Sequence, residues 1–371
     1  MERRQFLGSM PFAVGGALAM SSTASLAQTV QAPPMWTNVK AFGAIGDGII
    51  DDTAAIKTAI GSLQQSNEYR GGVLYFPAGR YICSSTLTFS GYSPSPTSSP
   101  VHNIIVRGDG PQCTFIDFSG TTGGAAAFAF SAGAQFGIED LLIHKASGHG
   151  VLIGSGNILG STDYSNYFNI RNVRVQQCGG NGFMFLNAFM GTVSDCWSTT
   201  NGGAGFLFAG FHTSMHVSRC YASSNTGNGW SLNAMTYSSF TACGSDRNIW
   251  GYAMTNMIGV AFNACGTELN QREGWLLNTA NSTVGGLPLN FCDIHGVTFT
   301  SCSSYDNSQA GLNAYGSHIA AIANDNRPIE FKISANTSFC RAGSTVSMVL
   351  NASNGPITVY DEISYFNNRS G

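Results

Sequence analysis

The chain has 371 residues and a formal net charge of −3, and charged residues make up 10% of it, far below the roughly 25% usual for a globular protein. So little charge, with no basic excess, argues against a nucleic-acid partner. The 46 glycines and abundant Ser, Thr and Asn point to many turns, and the length alone gives two or more domains unless a repeat overrides that count.

Residues 1–27 read as a signal peptide. Arg3 and Arg4 precede Phe6 and Leu7, the run from Met10 to Met20 is apolar and uncharged, and Ser25-Leu26-Ala27 offers small residues to a signal peptidase. This resembles a twin-arginine signal with Glu2 where Ser or Thr is commoner; an ordinary secretory signal is the alternative. The apolar run is shorter than the ~20 residues a spanning helix needs. No stable membrane insertion is therefore expected, and a mature chain starting near Gln28 is expected to be periplasmic or secreted.

The next segments are NVKAFGAIGDGIIDDTAAIKTAI (38–60) and GGVLYFPAGRYI (71–82). Asp47-Gly48 predicts a turn, and Asp51 or Asp52 caps an amphipathic helix beginning near Thr53. Such a helix covers the open end of a stack of strands, whose edges and core would otherwise be exposed, so residues 38–65 form an N-terminal cap. The paired aspartates are read as capping groups rather than catalytic ones. These segments resemble the start of the pectate lyase, polygalacturonase and rhamnogalacturonase superfamily. The resemblance implies a right-handed parallel β-helix and action on a polysaccharide, without fixing the reaction.

Polygalacturonases carry N-T-D, D-D, G-H-G and R-I-K motifs in that order. SGHGVLIGSG (147–156) contains Gly148-His149-Gly150, but no N-T-D or D-D lies between the first coil and His149, and NGFMFLN (181–187) stands where R-I-K should follow. The resemblance makes His149 a catalytic candidate. Its position makes it a turn residue, because Gly150 falls one coil before Gly182.

From residue 173 onward a repeat appears. VRVQQC, GTVSDC, MHVSRC, SSFTAC, VAFNAC and VTFTSC end at Cys178, Cys196, Cys220, Cys243, Cys265 and Cys302, with spacings of 18, 24, 23, 22 and 37. Val or Phe stands three residues before each Cys. Asn201, Asn225, Asn248, Asn270 and Asn307 stand five residues after it in every copy but the first, and a glycine followed by Phe206, Trp230, Tyr252, Trp275 or Leu312 comes next. A period near 23 with short β-rich runs between turns predicts the fold class: all-β, a single-stranded right-handed parallel β-helix (β-solenoid) over 28–371 with an N-terminal capping helix. Asn suits a left-handed turn and can bond between coils. The cysteines act as small inward filler rather than disulfides, since a twin-arginine substrate folds before export.

LLIHKA (141–146) aligns with VRVQQC and adds one more coil. Alternation then turns three columns outward: Leu142, Arg174, Thr192 and His216; His144, Gln176, Ser194 and Ser218; Lys145, Gln177, Asp195 and Arg219. Trp197 and Tyr221 offer flat faces for sugar rings, and the insertion 156–166 brings Asp163 and Tyr164. This cationic, amide-rich and aromatic groove suits an acidic polysaccharide; the alternative is a solvated β-face.

Asp195, Arg219, His149 and Lys145 are the catalytic candidates. His144, Arg174, Gln176, Gln177, Trp197, His216, Tyr221 and Asp163 are the substrate-binding ones. Hydrolysis with inversion needs two carboxylates about 6.5–9.5 Å apart, for which Asp195 with Asp163 or Asp140 are available. Elimination needs a cation for the enolate and a nearby base, which these basic columns fit slightly better. No metal site is expected; calcium, which would accompany a lyase, seeks six to eight oxygens, more than these columns supply. A non-catalytic alternative is a carbohydrate-binding or tailspike-like assembly, a homotrimer, in which Met184, Leu207, Ala253 and Leu276 form an outward apolar stripe.

Overall fold

The computed structural model describes residues 36–64, 71–90, 103–131, 135–154, 165–279, 283–284, 287–288, 293–307, 319–323, 327–334, 338–340, 348–352 and 355–361. One coil shows the plan. Strands Thr192–Ser194, Trp197–Thr199 and Phe206–Thr213 form a first, second and third face. Each pairs in parallel with its equivalent one coil on: Thr192 with His216, Trp197 with Tyr221, Phe206 with Trp230. Repeated along the chain, this pairing builds a parallel β-helix.

Single left-handed residues make the corners. Asp140, Asn172, Asp195, Arg219, Ala242, Ala264 and Ser301 separate the first face from the second, all with φ between 51° and 58°. Left-handed backbone costs an ordinary residue roughly 1–2 kcal/mol. At Asp195, Arg219, Ala242 and Ala264 a bond to the next coil offsets that cost, as when Asp195 N–H donates to Ser218 O at 3.1 Å and Arg219 N–H to Thr241 O at 2.9 Å.

The core is a set of stacked rows. Phe183, Phe206, Trp230, Tyr252 and Trp275 stack with centroids 4.8, 4.1, 5.6 and 4.3 Å apart, and Cys196, Cys220, Cys243, Cys265 and Cys302 form a buried thiol row. Cys178 does not belong to it. Ile170 registers with Val193 and Val175 with Ser198, so Cys178 stands at the head of the asparagine row, where its N–H donates to Asn201 Oδ1 at 2.9 Å. Val173, on the same strand, falls in register with the thiol row, and the odd spacing of 18 is the trace of that offset.

The asparagine row bonds backwards rather than forwards. Asn225 Oδ1 accepts from Asn201 N–H at 3.1 Å and from its Nδ2 at 2.9 Å, while Asn225 Nδ2 donates to Ser198 O at 3.1 Å. The left-handed residue is the one before each asparagine, Thr200, Ser224, Arg247, Leu269 or Asp306. The glycine row is needed for close approach, not for positive φ. A Cβ on Gly205 would lie 2.8 Å from both Ala222 Cβ and Gly229 O.

At the N-terminal end, the helix Thr53–Gln64 buries Ile56, Ala59, Ile60 and Leu63 against the first coil. Asp51 accepts from Thr53 N–H at 3.0 Å, and Asp52 ties back the preceding loop through Ile45 N–H at 2.6 Å and Gly46 N–H at 3.1 Å. Asp47 closes the expected turn over Gly48 by accepting from Ile49 and Ile50.

Candidate functional site

The register of the coil Asn169–Gln176 divides the predicted groove in two. Arg174 lies in line with Leu142 on one side and Trp197 on the other, and Gln176 with His144 and Thr199. Arg174, Gln176, His144, Trp197 and Tyr221 therefore share the second face, with Lys145 and Gln177 at the left-handed corner that closes it. Asp195 and Arg219 occupy the other corner, below Asp140 and Asn172, and His216 and Thr192 lie on the first face. Leu142, expected outward, is 4% exposed. Ser194 and Ser218 are also buried. Asp163 and Tyr164 lie outside the described residues.

On the second face, two residues that sequence reasoning missed complete a polar chain. Arg80 and Asp117 form an ion pair, with Asp117 almost fully buried. Asp117 also accepts from Ser119 N–H at 2.8 Å and lies 3.4 Å from His144 Nδ1; His144 Nε2 is 3.1 Å from Gln177 Oε1. Burial alone would raise the Asp117 carboxyl, but hydrogen bonds from Arg80, Ser119 and His144 outweigh it and hold the pKa at about 2. Asp117 is therefore an anion that orients the imidazole. Turning the Gln177 amide over would present its N–H to Nε2, with the Nδ1 proton facing Asp117. The signal for Asp117 was its place in TFID (114–117), in line with His144, but the cysteines of those early coils, Cys83 and Cys113, stand outside the repeat's frame and do not mark its register.

Further along, the Arg174 guanidinium lies 5.1 Å from the Trp197 ring centroid, a cation–π arrangement. Trp197 Nε1 donates to Ser223 Oγ at 3.1 Å, and the Tyr221 ring meets Trp197 edge-on at 6.4 Å. Trp197 remains 39% exposed, so a flat apolar surface stands beside a cation.

The other candidates are already engaged. Arg219 Nε and Nη2 donate to Asp195 Oδ1 and Oδ2 at 2.6 and 2.7 Å, and Arg219 holds the Asp195 carboxyl below its ordinary range. Arg107 and Arg171 both bind Glu139, at 2.8 and 3.1 Å, and Arg171 binds Asp140 at 3.0 Å. His149 sits in the turn after the second face. Its Nδ1 accepts from Asn181 N–H at 3.0 Å, and burial lowers its pKa, so it is a neutral turn-stabilising ring. The corner carboxylates are held by arginines, and among the described residues no three metal-ligating side chains converge. On the third face Met184, Leu207, Ala253 and Leu276 do fall in one outward row with Leu152 and Ser231.

A parallel β-helix with stacked interior rows and a long polar and aromatic face is the architecture of carbohydrate-acting β-helix proteins. The chain belongs to the rhamnogalacturonase A/epimerase, pectate lyase-like family, which matches residues 36–270. It is 30% identical over 184 residues to mannuronan C5-epimerase AlgE5 of Azotobacter vinelandii, a match covering 46% of this chain and 17% of that protein. The chain thus spans less than a fifth of that relative's length. Among solved structures, the A-module of mannuronan C-5 epimerase AlgE4 from A. vinelandii aligns with TM-score 0.54 and 18% identity, over 91% of this chain and all of that one. The catalytic unit of a GH87 α-1,3-glucanase from Streptomyces thermodiastaticus aligns with TM-score 0.53 and 13% identity, over 91% of this chain and 70% of that one. At these identities the structural likenesses define the fold.

Proposed function

We propose that the protein is an exported enzyme acting on an acidic, uronate-containing polysaccharide, with the second face as its groove and His144 as the group that moves a proton. The observation that carries this reading is the Asp117–His144–Gln177 chain beside exposed Lys145 and the Arg174–Trp197 pair. The similarity to mannuronan C5-epimerases supports a uronate substrate. A uronate C5 proton is acidified by its carboxylate only when that charge is neutralised, which Lys145 and Arg174 are there to do. His144, oriented by Asp117, takes the proton and leaves an enolate. Elimination follows if the C4–oxygen bond then breaks and the departing oxygen takes up a proton; return of a proton to the opposite face of C5 gives the epimer instead.

The test is a panel of pectic and bacterial acidic polysaccharides, read by ultraviolet absorbance of new double bonds, by reducing ends and by deuterium uptake at C5. His144→Gln should abolish either proton signal with the fold intact. Reducing ends without absorbance or deuterium would replace this reading with hydrolysis.

A second reading, glycan binding without catalysis, is favoured by the engagement of Asp195, His149 and both nitrogens of His144 with protein partners. Binding without any of the three signals would select it.

A further inference from the structure

The row that carries Arg174, Trp197 and Tyr221 continues with Gly244, Gly266 and Ser303. At the two glycines it drops to bare backbone, and a cleft of about 120 Å³ opens there, bounded by Tyr221, Gly266, Glu268, Ser303 and Tyr305. Neither glycine has positive φ, so backbone conformation does not explain them.

Packing explains only the first. A Cβ on Gly244 would lie 2.4 Å from Cδ2 and Cε2 of Tyr221, whose ring crosses that coil. A Cβ on Gly266 would meet only the rotatable Ser303 hydroxyl, at 3.1 Å. The floor of the cleft is thus open space that no neighbouring side chain of the protein requires.

Its walls have a definite chemistry. The Tyr221 hydroxyl lies 3.4 Å from Glu268 Oε1, which fixes the ring as one wall, and Tyr305, 55% exposed, stands on the other side. Burial raises the Tyr221 phenol to about 12, so it stays a neutral donor. The rim offers a carboxylate and a hydroxyl, and no lysine or arginine lines the cleft; the nearby Arg247 is paired with Asp246 at 2.5 Å. Aromatic walls take the C–H faces of a pyranose, and Glu268 accepts from its hydroxyls, whereas a uronate carboxylate would meet like charge.

We infer that this cleft binds one uncharged, hydroxyl-bearing sugar ring, at a site separate from the cationic end of the same face. Gly266 lies three strand spacings from Trp197, about 14 Å along the axis. A glycan lying along the face would then present an acidic ring at Arg174 and Lys145 and a neutral one here. The inference rests on the second face being a glycan groove and does not depend on proton transfer.

The test uses calorimetric titration of the full chain with two neutral probes, β-1,4-mannotriose and nigerotriose, and with trimannuronate. At least one neutral probe should bind. Gly266→Leu and Tyr305→Ala should each weaken it by about tenfold or more, while Lys145→Ala, which touches neither wall, changes it by less than about twofold. Trimannuronate should show the reverse pattern, and Glu268→Gln, which keeps the shape and removes the charge, should admit trimannuronate to the cleft. Thermal unfolding checks Gly266→Leu, and Tyr305→Ala carries the test if that variant does not fold.

No binding of either neutral probe at about 10 mM, or neutral binding indifferent to Gly266→Leu and Tyr305→Ala, would overturn the inference. Failure of trimannuronate alone would remove the acidic-substrate reading and leave the cleft standing.

Discussion

His212 should make the protein lose stability in mild acid. It lies wholly buried on the third face, with Nδ1 accepting from Ala188 N–H at 3.3 Å and its ring edge-on to Phe208 at 5.3 Å. Nε2 has no partner, and burial depresses the pKa to about 3. Because the folded value lies below the unfolded one, near 6.5, the unfolded chain binds the extra proton. The stability this group contributes is full above pH 6.5 and is lost as pH falls towards about 3.

Between about pH 8 and 5 that loss amounts to about 2 kcal/mol from this residue alone. The window is distinct from that of Asp117, whose depressed carboxyl contributes stability that disappears only as pH falls below about 4 towards about 2. The assay is urea unfolding of the wild type and His212→Phe at both pH values. The substitution leaves Ala188 N–H unpaired at every pH, so its own cost of about 1–3 kcal/mol cancels in the difference. His149 and Asp246 titrate alike in both proteins and cancel as well. Equal acid losses in the two proteins would refute the reasoning.

Asn248→Leu should lower the unfolding free energy by about 1–3 kcal/mol, because Asn225 N–H loses the oxygen that completes it at 2.9 Å; an unchanged urea midpoint would count against the ladder. Thiol titration of the denatured, non-reduced chain should find at least eight of the ten cysteines free, and in the native protein Cys113, exposed where Cys83, Cys178 and the thiol row are buried, should react before them. Burial pushes the Cys178 thiol up to about 11, so rapid native reaction there would contradict its placement. Asp195→Asn and Arg219→Ala should each change turnover by less than about threefold, since the pair satisfies itself at the corner opposite the one that carries Lys145 and Gln177. A loss of about 10²-fold would return the proton transfer to that corner.

The sequence carried the architecture because the coils are copies. Wherever Cys, Asn and Gly recur at fixed offsets, a single alignment places the interior rows, and from Cys196 to Trp275 that alignment is the observed register; in the last copy it fails on the third face, where Ile319 rather than Leu312 pairs with Trp275. It failed at Cys178, where a thiol stands in the place of the first asparagine and one strand, Asn169–Gln176, runs over two faces through the corner at Asn172. That five-residue slip put Arg174 beside Thr192 instead of Trp197 and merged two surfaces into one. Asp117 and Arg80 stayed hidden for a related reason: partners in a β-helix are selected by stacking across coils, and before Leu141 nothing in the sequence marks which residues stack.

The backward bonding of the asparagine row gives the molecule a direction in time. Each coil leaves buried N–H groups that only the following asparagine can satisfy, as Cys178 waits for Asn201, Asn201 for Asn225 and Asn225 for Asn248. A chain emerging from the ribosome therefore ends, at every moment, in a turn with open donors that the next coil's synthesis closes. Cutting coils from the C-terminal side exposes these backbone donors, whereas cutting from the N-terminal side frees asparagine side-chain amides instead, as loss of Ser198 would free Asn225 Nδ2. The fibre-like stack thus closes in the direction of translation, each turn locked by residues made about one coil later.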